Sequence, residues 1–188
     1  MGRFSCGVIK FAGMESAASI AVGSEVFGGR WADLGPDSRV WVFVADRRLT
    51  ADEGALVEGR LNAFTSGWAA HQVPLVAGWN LWGLRVLIIS VDEAMQAASG
   101  CSVDAMTHAV RDLGAELGVD WFNRMQVIYR DEEGAWMEAP MHAFWALRKA
   151  ERVGDAHGVL NTLVKTKSQW EASGVQPFSE SWHATMWR

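Results

Sequence analysis

This sequence of 188 residues has little cysteine and tyrosine, no long apolar run and no excess of positive charge. Its two cysteines, Cys6 and Cys101, are too few for a disulfide framework, so a reducing cytoplasm is the simplest location. No apolar run reaches the length of about 20 residues that a membrane-spanning helix needs. The net charge of -5 argues against a nucleic-acid-binding protein, because such proteins normally carry a basic surface.

The first 32 residues are predicted to form an N-terminal extension that is poorly ordered. Residues 1–23 are rich in small side chains, but Lys10, Glu15 and Ser16 interrupt the continuous apolar core that a signal peptide requires. Both Met1 and Met14 are possible translation starts, and the sequence leaves that choice open.

Apolar residues and tryptophan are plentiful by contrast. Apolar residues make up 49% of the chain, which is enough for a substantial core, and 11 tryptophans accompany a single tyrosine. We expect most of these tryptophans to fill the core and some to line a pocket. The chain length favours one domain. We divide it into an α+β core at 33–139 and a C-terminal part at 140–188, in which helices and a Trp-containing tail pack on the core.

The stretch 85–118 is the centre of the predicted fold. Residues 86–91 are nearly all apolar and predict a buried strand that ends at Asp92 and Glu93. After a loop of small residues, apolar side chains recur every three or four positions and predict a helix. Ser102 is predicted to cap its N-terminus and Gly118 to end it in the left-handed conformation. The apolar positions of this helix are Val103, Met106, Val110, Leu113 and Leu117.

Similar patterns predict the other elements. Thr50 and Glu53 form the T-x-x-E pattern of a capping box, which begins an earlier helix. The apolar positions of that helix are Val57, Leu61, Phe64 and Trp68. Further strands are predicted at 40–44, 73–82, 125–130 and 135–138, with a hairpin between 73–82 and 86–91. Two more helices are predicted, from Pro140 to about residue 152 and over 158–171.

The order of these elements predicts an α+β fold. The succession β-α-β-β-α-β is that of a ferredoxin-like split βαβ sandwich, here with an extra edge strand and C-terminal helices. We therefore expect 40–44, 86–91 and 126–129 to be strands of one sheet. The C-terminal helices either cover the open face of that sheet or pack at its edge, and a three-layer α/β/α arrangement is the competing architecture.

Cys101 is the candidate catalytic residue, because it lies beside the predicted start of a helix. Open amides at a helix N-terminus favour a thiolate, and His108 or His71 could then serve as the base that a nucleophilic cysteine needs. Asp92, Glu93 and Asp104 would oppose a second negative charge nearby. A small cysteine at a tight turn, with no chemical role, is the simpler interpretation.

The same region offers groups that could contact a ligand. Ser99, Gly100 and Ser102 supply amides and two hydroxyls that suit an anion, although Asp104 competes for the same helix terminus. Asp104 and His108 are four positions apart and form half of a metal site, to which Asp92 and His71 could add ligands. A solvated Asp–His pair is the more economical interpretation, so no metal and no other cofactor is predicted.

Several motifs together resemble one family of short bacterial proteins that are commonly labelled "ABC transporter ATPase". These motifs are V-W-V-F-V-A-D-R at 40–47, W-x-A-H at 68–71, V-D-E at 91–93, A-A-S-G-C-S-V-D at 97–104, F-N-R-M-Q-V-I-Y-R at 122–130, L-N-T-L-V-K-T-K at 160–167 and E-S-W-H at 180–183. The resemblance covers residue 26 to the C-terminus. The family has no established activity, so the resemblance implies a label but no mechanism.

The label itself can be tested against the sequence. Residues 87–93 have the form of a Walker B strand, with apolar residues that end in Asp92 and Glu93. A transporter ATPase also needs a G-x-x-x-x-G-K-[ST] loop to hold the nucleotide phosphates. The chain has no Gly-Lys pair at all. We therefore expect no ATPase activity of this class.

Two classes of function follow. The favoured one is a binding or interaction module for a small molecule or a protein, with its ligand site at 92–102. The alternative is a small thiol- or metal-dependent enzyme that uses Cys101, His108 and nearby carboxylates. An enzyme needs Cys101 and a histidine nitrogen to converge in one pocket, whereas a binding module needs only a pocket or an apolar patch. The oligomeric state is left open.

Overall fold

The computed structural model describes residues 18–20 and 26–186. In the predicted extension at 1–32, the described residues form strand β1 (Ala18–Ile20), strand β2 (Val26–Gly29) and a 3-10 turn at Trp31–Asp33. The remainder of that extension, together with the choice between Met1 and Met14, lies outside the described residues.

The following elements succeed β2 along the chain. They are β3 (Arg39–Val44), α1 (Ala51–Gly67), β4 (Ala69–Ala70), β5 (Val73–Pro74), β6 (Val76–Trp82), β7 (Val86–Asp92), α2 (Gly100–Leu117), β8 (Gln126–Arg130), β9 (Trp136–Pro140), α3 (Met141–Lys149), β10 (Gly158–Leu160), α4 (Lys167–Ser173), β11 (Val175–Pro177) and α5 (Trp182–Met186). The predicted hairpin between β6 and β7 is confirmed.

Two antiparallel sheets form the centre of the molecule. The first sheet has the strand order β2-β6-β7-β3 and the second has the order β1-β9-β8-β10-β11, while β4 and β5 pair separately. Helices α1 and α2 pack on one face of the first sheet, and its other face packs on the second sheet. Helices α3 and α5 cover the outer face of the second sheet. The α+β class is therefore confirmed, in four layers.

The apolar sequence of β7 follows from its place between two cores. Leu87, Ile89 and Val91 face α1 and α2, whereas Val86 and Ile88 face the second sheet, and all five are fully buried. Because successive side chains of a strand alternate between the two faces of its sheet, a strand that is covered on both faces is apolar throughout.

The strand order does not confirm the ferredoxin-like arrangement. The strands predicted at 40–44 and 86–91 pair in one sheet, but the strand predicted at 126–129 is β8 and lies in the second sheet. β8 pairs instead with β9, its neighbour along the chain, through a short turn in which Asp131 Oδ1 accepts from the Ala135 amide. The four layers also differ from the three-layer alternative.

The helix ends are confirmed in part. Thr50 and Glu53 form the predicted capping box of α1, and Gly118 ends α2 in the left-handed conformation with φ 62°. The prediction that Ser102 caps α2 is wrong by three residues. The Ser99 hydroxyl accepts from the Ser102 amide, so Ser99 is the cap and Cys101 lies inside the first turn of α2.

The C-terminal part contains more strand than predicted. The helix predicted at 158–171 is wrong, because 158–160 form β10, which pairs with β8 and β11. Helix α4 begins only after Thr166, whose hydroxyl accepts from the Gln169 amide. The first of the two predicted C-terminal helices is α3, and it covers a sheet face, as one of the two alternatives proposed. Helix α5, in the predicted tail, packs on the same face.

An ion pair joins the two sheets. The Arg85 side chain, which is 3% exposed, donates to a carboxylate oxygen of Glu138 in β9. Burial lowers the pKa of Arg85 to about 10, and the charge of Asp46 opposes that shift. The guanidinium therefore remains charged at neutral pH.

Candidate ligand-binding cavity

The carboxylates of the predicted site at 92–102 are used within their own loop. An oxygen of Asp92 accepts from the Ala94 amide at 2.9 Å, and Glu93 Oε1 accepts from the Ala98 amide at 3.0 Å. Glu93 Oε1 also lies 3.6 Å from an Arg39 nitrogen. Both side chains therefore stabilise the turn between β7 and α2.

The helix start next to this loop is partly exposed and partly buried. Gly100 and Cys101 are exposed to solvent. Ser102 is buried, where its hydroxyl donates to the Ser99 carbonyl at 2.8 Å and its own carbonyl accepts from the Trp68 indole at 2.9 Å. The two serines therefore hold the loop and the first turn of α2 together.

No described contact joins either predicted histidine to Cys101. His108 is exposed, and its Nδ1 lies 2.8 Å from the Asp104 backbone oxygen, so the contact bypasses the Asp104 carboxylate. His71 is also exposed, in the turn between β4 and β5, with φ 50°. Across the described residues, no three histidine, cysteine, aspartate or glutamate side chains are grouped so as to hold a metal ion.

A different part of the molecule contains a cavity of about 510 Å³. We call it the inter-sheet cavity, because it lies between the β3 edge of the first sheet and the second sheet. It is lined by residues 40–44 of β3, the segment 121–124, Gln126 and Ile128 of β8, Leu160, the segment 162–164, and Trp182 and His183 of α5. This volume is within the range of sites that hold small ligands.

The cavity exists because strands separate at this point. β8 and β10 pair at only one position, Tyr129 with Val159, so the second sheet opens between Gln126 and the chain beyond Leu160. There Asn161 Oδ1 accepts from the Leu163 amide at 3.1 Å, which turns the chain away from β8. The side chains that line this opening would contact one another if the pairing of the second sheet continued.

Four residues that line the cavity each carry a buried polar atom that has no hydrogen-bond partner among the described residues. These atoms are the indole nitrogens of Trp121 and Trp182, Oε1 of Gln126 and Nδ1 of His183. A buried polar group without a partner costs about 1–3 kcal/mol. Such groups are therefore expected to have a partner, either water or a ligand.

Of the four residues that carry these atoms, His183 is the one whose pKa is shifted. It is 2% exposed and stacks on the Trp182 ring, with the two ring centroids 3.8 Å apart. Burial lowers its pKa to about 4, so the imidazole is neutral at neutral pH. A neutral imidazole has one nitrogen that donates and one that accepts a hydrogen bond.

The charge of the cavity wall is supplied by one residue. Arg124 is exposed at its margin, and it is the only charged side chain among the described residues that line the cavity, since His183 is neutral. The remaining walls are mainly aliphatic and aromatic. They include Phe43 and Phe122, whose rings meet edge to face with centroids 5.4 Å apart. The site therefore combines apolar walls with hydrogen-bonding atoms and one positive charge.

Sequence reasoning missed this site. Trp182 belongs to the Trp-containing tail that was expected to pack on the core, and His183 was noticed only as part of the E-S-W-H motif. The usable signal was a histidine next to a tryptophan in an otherwise apolar tail. Trp121 and Gln126 carry no such signal, because their burial depends on where β8 pairs.

No protein-family model, curated protein or solved structure matches this chain. The resemblance to the family labelled "ABC transporter ATPase" therefore stays an expectation. In the part of the chain that the structure describes, every helix is too short or too polar to cross a membrane.

Proposed function

We propose that this protein is a binding module whose ligand occupies the inter-sheet cavity. The observation that carries the proposal is one mainly apolar cavity whose lining residues include four with a buried polar atom that lacks a partner. Apolar walls with a few convergent polar groups are the usual composition of a ligand site. If the lining side chains turn these atoms toward the cavity, a ligand with matching atoms would remove the cost of leaving them without hydrogen bonds.

The chemistry of the walls indicates the kind of ligand. The two indole N–H groups of Trp121 and Trp182 can only donate, so they require acceptor atoms. Gln126 Oε1 requires a donor, and Arg124 favours a carboxylate or another anion. The proposed ligand therefore has an apolar body, both donor and acceptor atoms, and one negative charge.

The enzyme alternative has less support. Cys101 lies in α2, outside the residues that line the inter-sheet cavity, and so does His108. The ligand site predicted at 92–102 stays a prediction, and its carboxylates accept backbone hydrogen bonds within their own loop. A cytoplasmic location and the absence of ABC-type ATPase activity belong to the same proposal, and both rest on the sequence.

The proposal can be tested with 1-anilinonaphthalene-8-sulfonate (ANS), which combines aromatic rings with one anionic group. We expect folded wild-type protein to bind ANS saturably at one site, with energy transfer from the tryptophans of the cavity. Val42→Trp should fill the cavity and abolish that binding. Val76→Trp is the matched control, because Val76 is a 40% exposed strand residue of the same sheet and lies outside the cavity.

Near-UV circular dichroism should be measured on each variant, so that ANS uptake by loosened protein is recognised. Saturable binding by wild-type protein and Val76→Trp, lost in Val42→Trp, supports the cavity as the site. Folded wild-type protein that takes up no ANS, or equal uptake by both variants, would refute it.

A further inference from the structure

One edge of the first sheet is open where the inter-sheet cavity begins. β3 is the last strand of that sheet. The Ala45 amide donates to Arg85 on the β7 side, whereas the Val40 amide donates to Lys165 on the opposite side. Because backbone groups alternate in direction along an antiparallel strand, Val42 and Val44 also present their amides away from β7. No described residue accepts from either amide.

The first half of the same edge is already paired with another part of the chain. The Lys167 amide donates to the Ser38 carbonyl at 2.8 Å, the Val40 amide donates to Lys165 at 3.0 Å, and Arg39 pairs with Thr166 in antiparallel orientation. The segment 165–167 therefore adds a short strand to β3. Beyond it the chain diverges through the Asn161–Leu163 turn, so the backbone edge of Val42 and Val44 has no neighbouring strand among the described residues.

The walls on either side of this open edge suit an extended chain. Ile128, Leu160 and Val164 are buried on the side of the second sheet. Phe43 and Phe122 contact each other on the side of the helices. A strand placed beside β3 would send successive side chains alternately toward these two apolar walls.

We propose that the ligand of the inter-sheet cavity is a short extended peptide segment of another protein, which adds to β3 as a strand. The inference rests on the proposed function and specifies its ligand. The amides of Val42 and Val44 would donate to the peptide backbone, and alternate apolar side chains would occupy the two walls. A peptide carboxylate would pair with Arg124, the only charged group among the described cavity residues.

The test is selection of random short peptides, displayed in a library, on immobilised full-length protein. Val42→Pro removes an amide that points away from β7, so the sheet keeps its own hydrogen bonds, and an edge strand tolerates proline. Val42→Ala is the matched control, because it shortens the same side chain and retains the amide. Selected peptides should bind wild-type protein, and they should bind Val42→Pro about tenfold or more weakly than Val42→Ala, which has lost the same valine side-chain contacts in the cavity.

A scan of N-methylated peptides on wild-type protein provides a measurement that does not depend on how a variant folds. Strand addition predicts that methylation at alternate amides abolishes binding, whereas methylation at the intervening amides leaves it intact. Arg124→Gln should lower the affinity for peptides that carry a carboxylate by about tenfold. Arg152→Gln, an exposed arginine outside the cavity, should leave them unaffected.

The outcomes separate this inference from the proposed function. If no peptide is enriched, or if methylation acts equally at every position, strand addition is refuted. Saturable ANS binding alongside either result would leave the cavity as a site for small molecules. Absence of both ANS and peptide binding would refute the cavity as a ligand site altogether.

Discussion

Among single residues, His183 determines how the cavity responds to acid. Its folded-state pKa of about 4 lies below its ordinary value of 6.5, because burial disfavours the imidazolium. The unfolded chain therefore takes up a proton on this side chain at a higher pH than the folded protein does. Linkage requires the folded state to lose stability as the pH falls through that interval.

We expect the free energy of unfolding to fall by up to about 3 kcal/mol between pH 6.5 and pH 4 because of His183. His183→Phe should remove that part of the pH dependence, which denaturant unfolding at several pH values would measure. His108→Phe, at an exposed histidine on α2, should behave as wild type. The same pH dependence in wild-type protein and His183→Phe would contradict the prediction.

Between elements, the Arg85–Glu138 pair is a polar contact that crosses the interface of the two sheets. Arg85 directly precedes β7 and is buried, whereas the side chain of Glu138 in β9 is 21% exposed. A buried charge that loses its partner costs more than the pair contributes, because the remaining ion is left without compensation. The two residues should therefore be energetically coupled.

We expect Glu138→Leu to lower the free energy of unfolding by about 2 kcal/mol, less than for a fully buried pair because water screens the exposed part of Glu138. The double variant Arg85→Leu/Glu138→Leu should be more stable than Glu138→Leu alone, since it leaves no unpaired charge. A double-mutant cycle by denaturant unfolding measures this coupling. Losses that simply add would show that the pair is not coupled.

Most elements could be predicted from the sequence because their signals are local. The capping box of Thr50 and Glu53, the apolar stripe of α2 and the continuous apolar run of β7 each depend on residues close along the chain. The sheet that a strand joins does not depend on such a signal. β8 has the same alternating pattern whether it pairs with β3 or with β9, so its place in the second sheet was not predicted.

The candidate site was missed for a related reason. Its groups come from β3, β8, the segment 160–164 and α5, which only tertiary pairing brings together. The predicted site at 92–102 was instead contiguous in sequence, and its polar groups have a structural role. Ser99 shows this most clearly, because its hydroxyl caps α2.

At the scale of the whole molecule, the strand that resembles a Walker B motif lies in the interior of a four-layer fold. β7 is covered by helices on one face and by the second sheet on the other. Asp92 at its end accepts from the Ala94 amide at 2.9 Å. The phosphate-binding loop that accompanies such a strand in a transporter ATPase is missing from the sequence.

We therefore expect the purified protein not to bind ATP with micromolar affinity. Isothermal titration calorimetry with MgATP measures this directly, and Asp92→Asn provides the matched variant. Tight binding that Asp92→Asn abolishes would show that the Walker-like strand functions without its usual loop. Absence of heat from both proteins is the expected result.

The pairing of β3 with the segment 165–167 also bears on how the chain folds. Lys167, which takes part in that pairing, donates to the Trp31 carbonyl across 136 positions of sequence, so the first sheet is completed by residues that the ribosome adds after all four of its strands. Until they arrive, the whole edge of β3 is bare, and a bare edge can pair with other chains. Closing so long a loop also slows folding, because the entropic cost of closure comes before any stabilising contact forms. Synthesis should therefore pass through an interval in which this protein depends on chaperones most strongly.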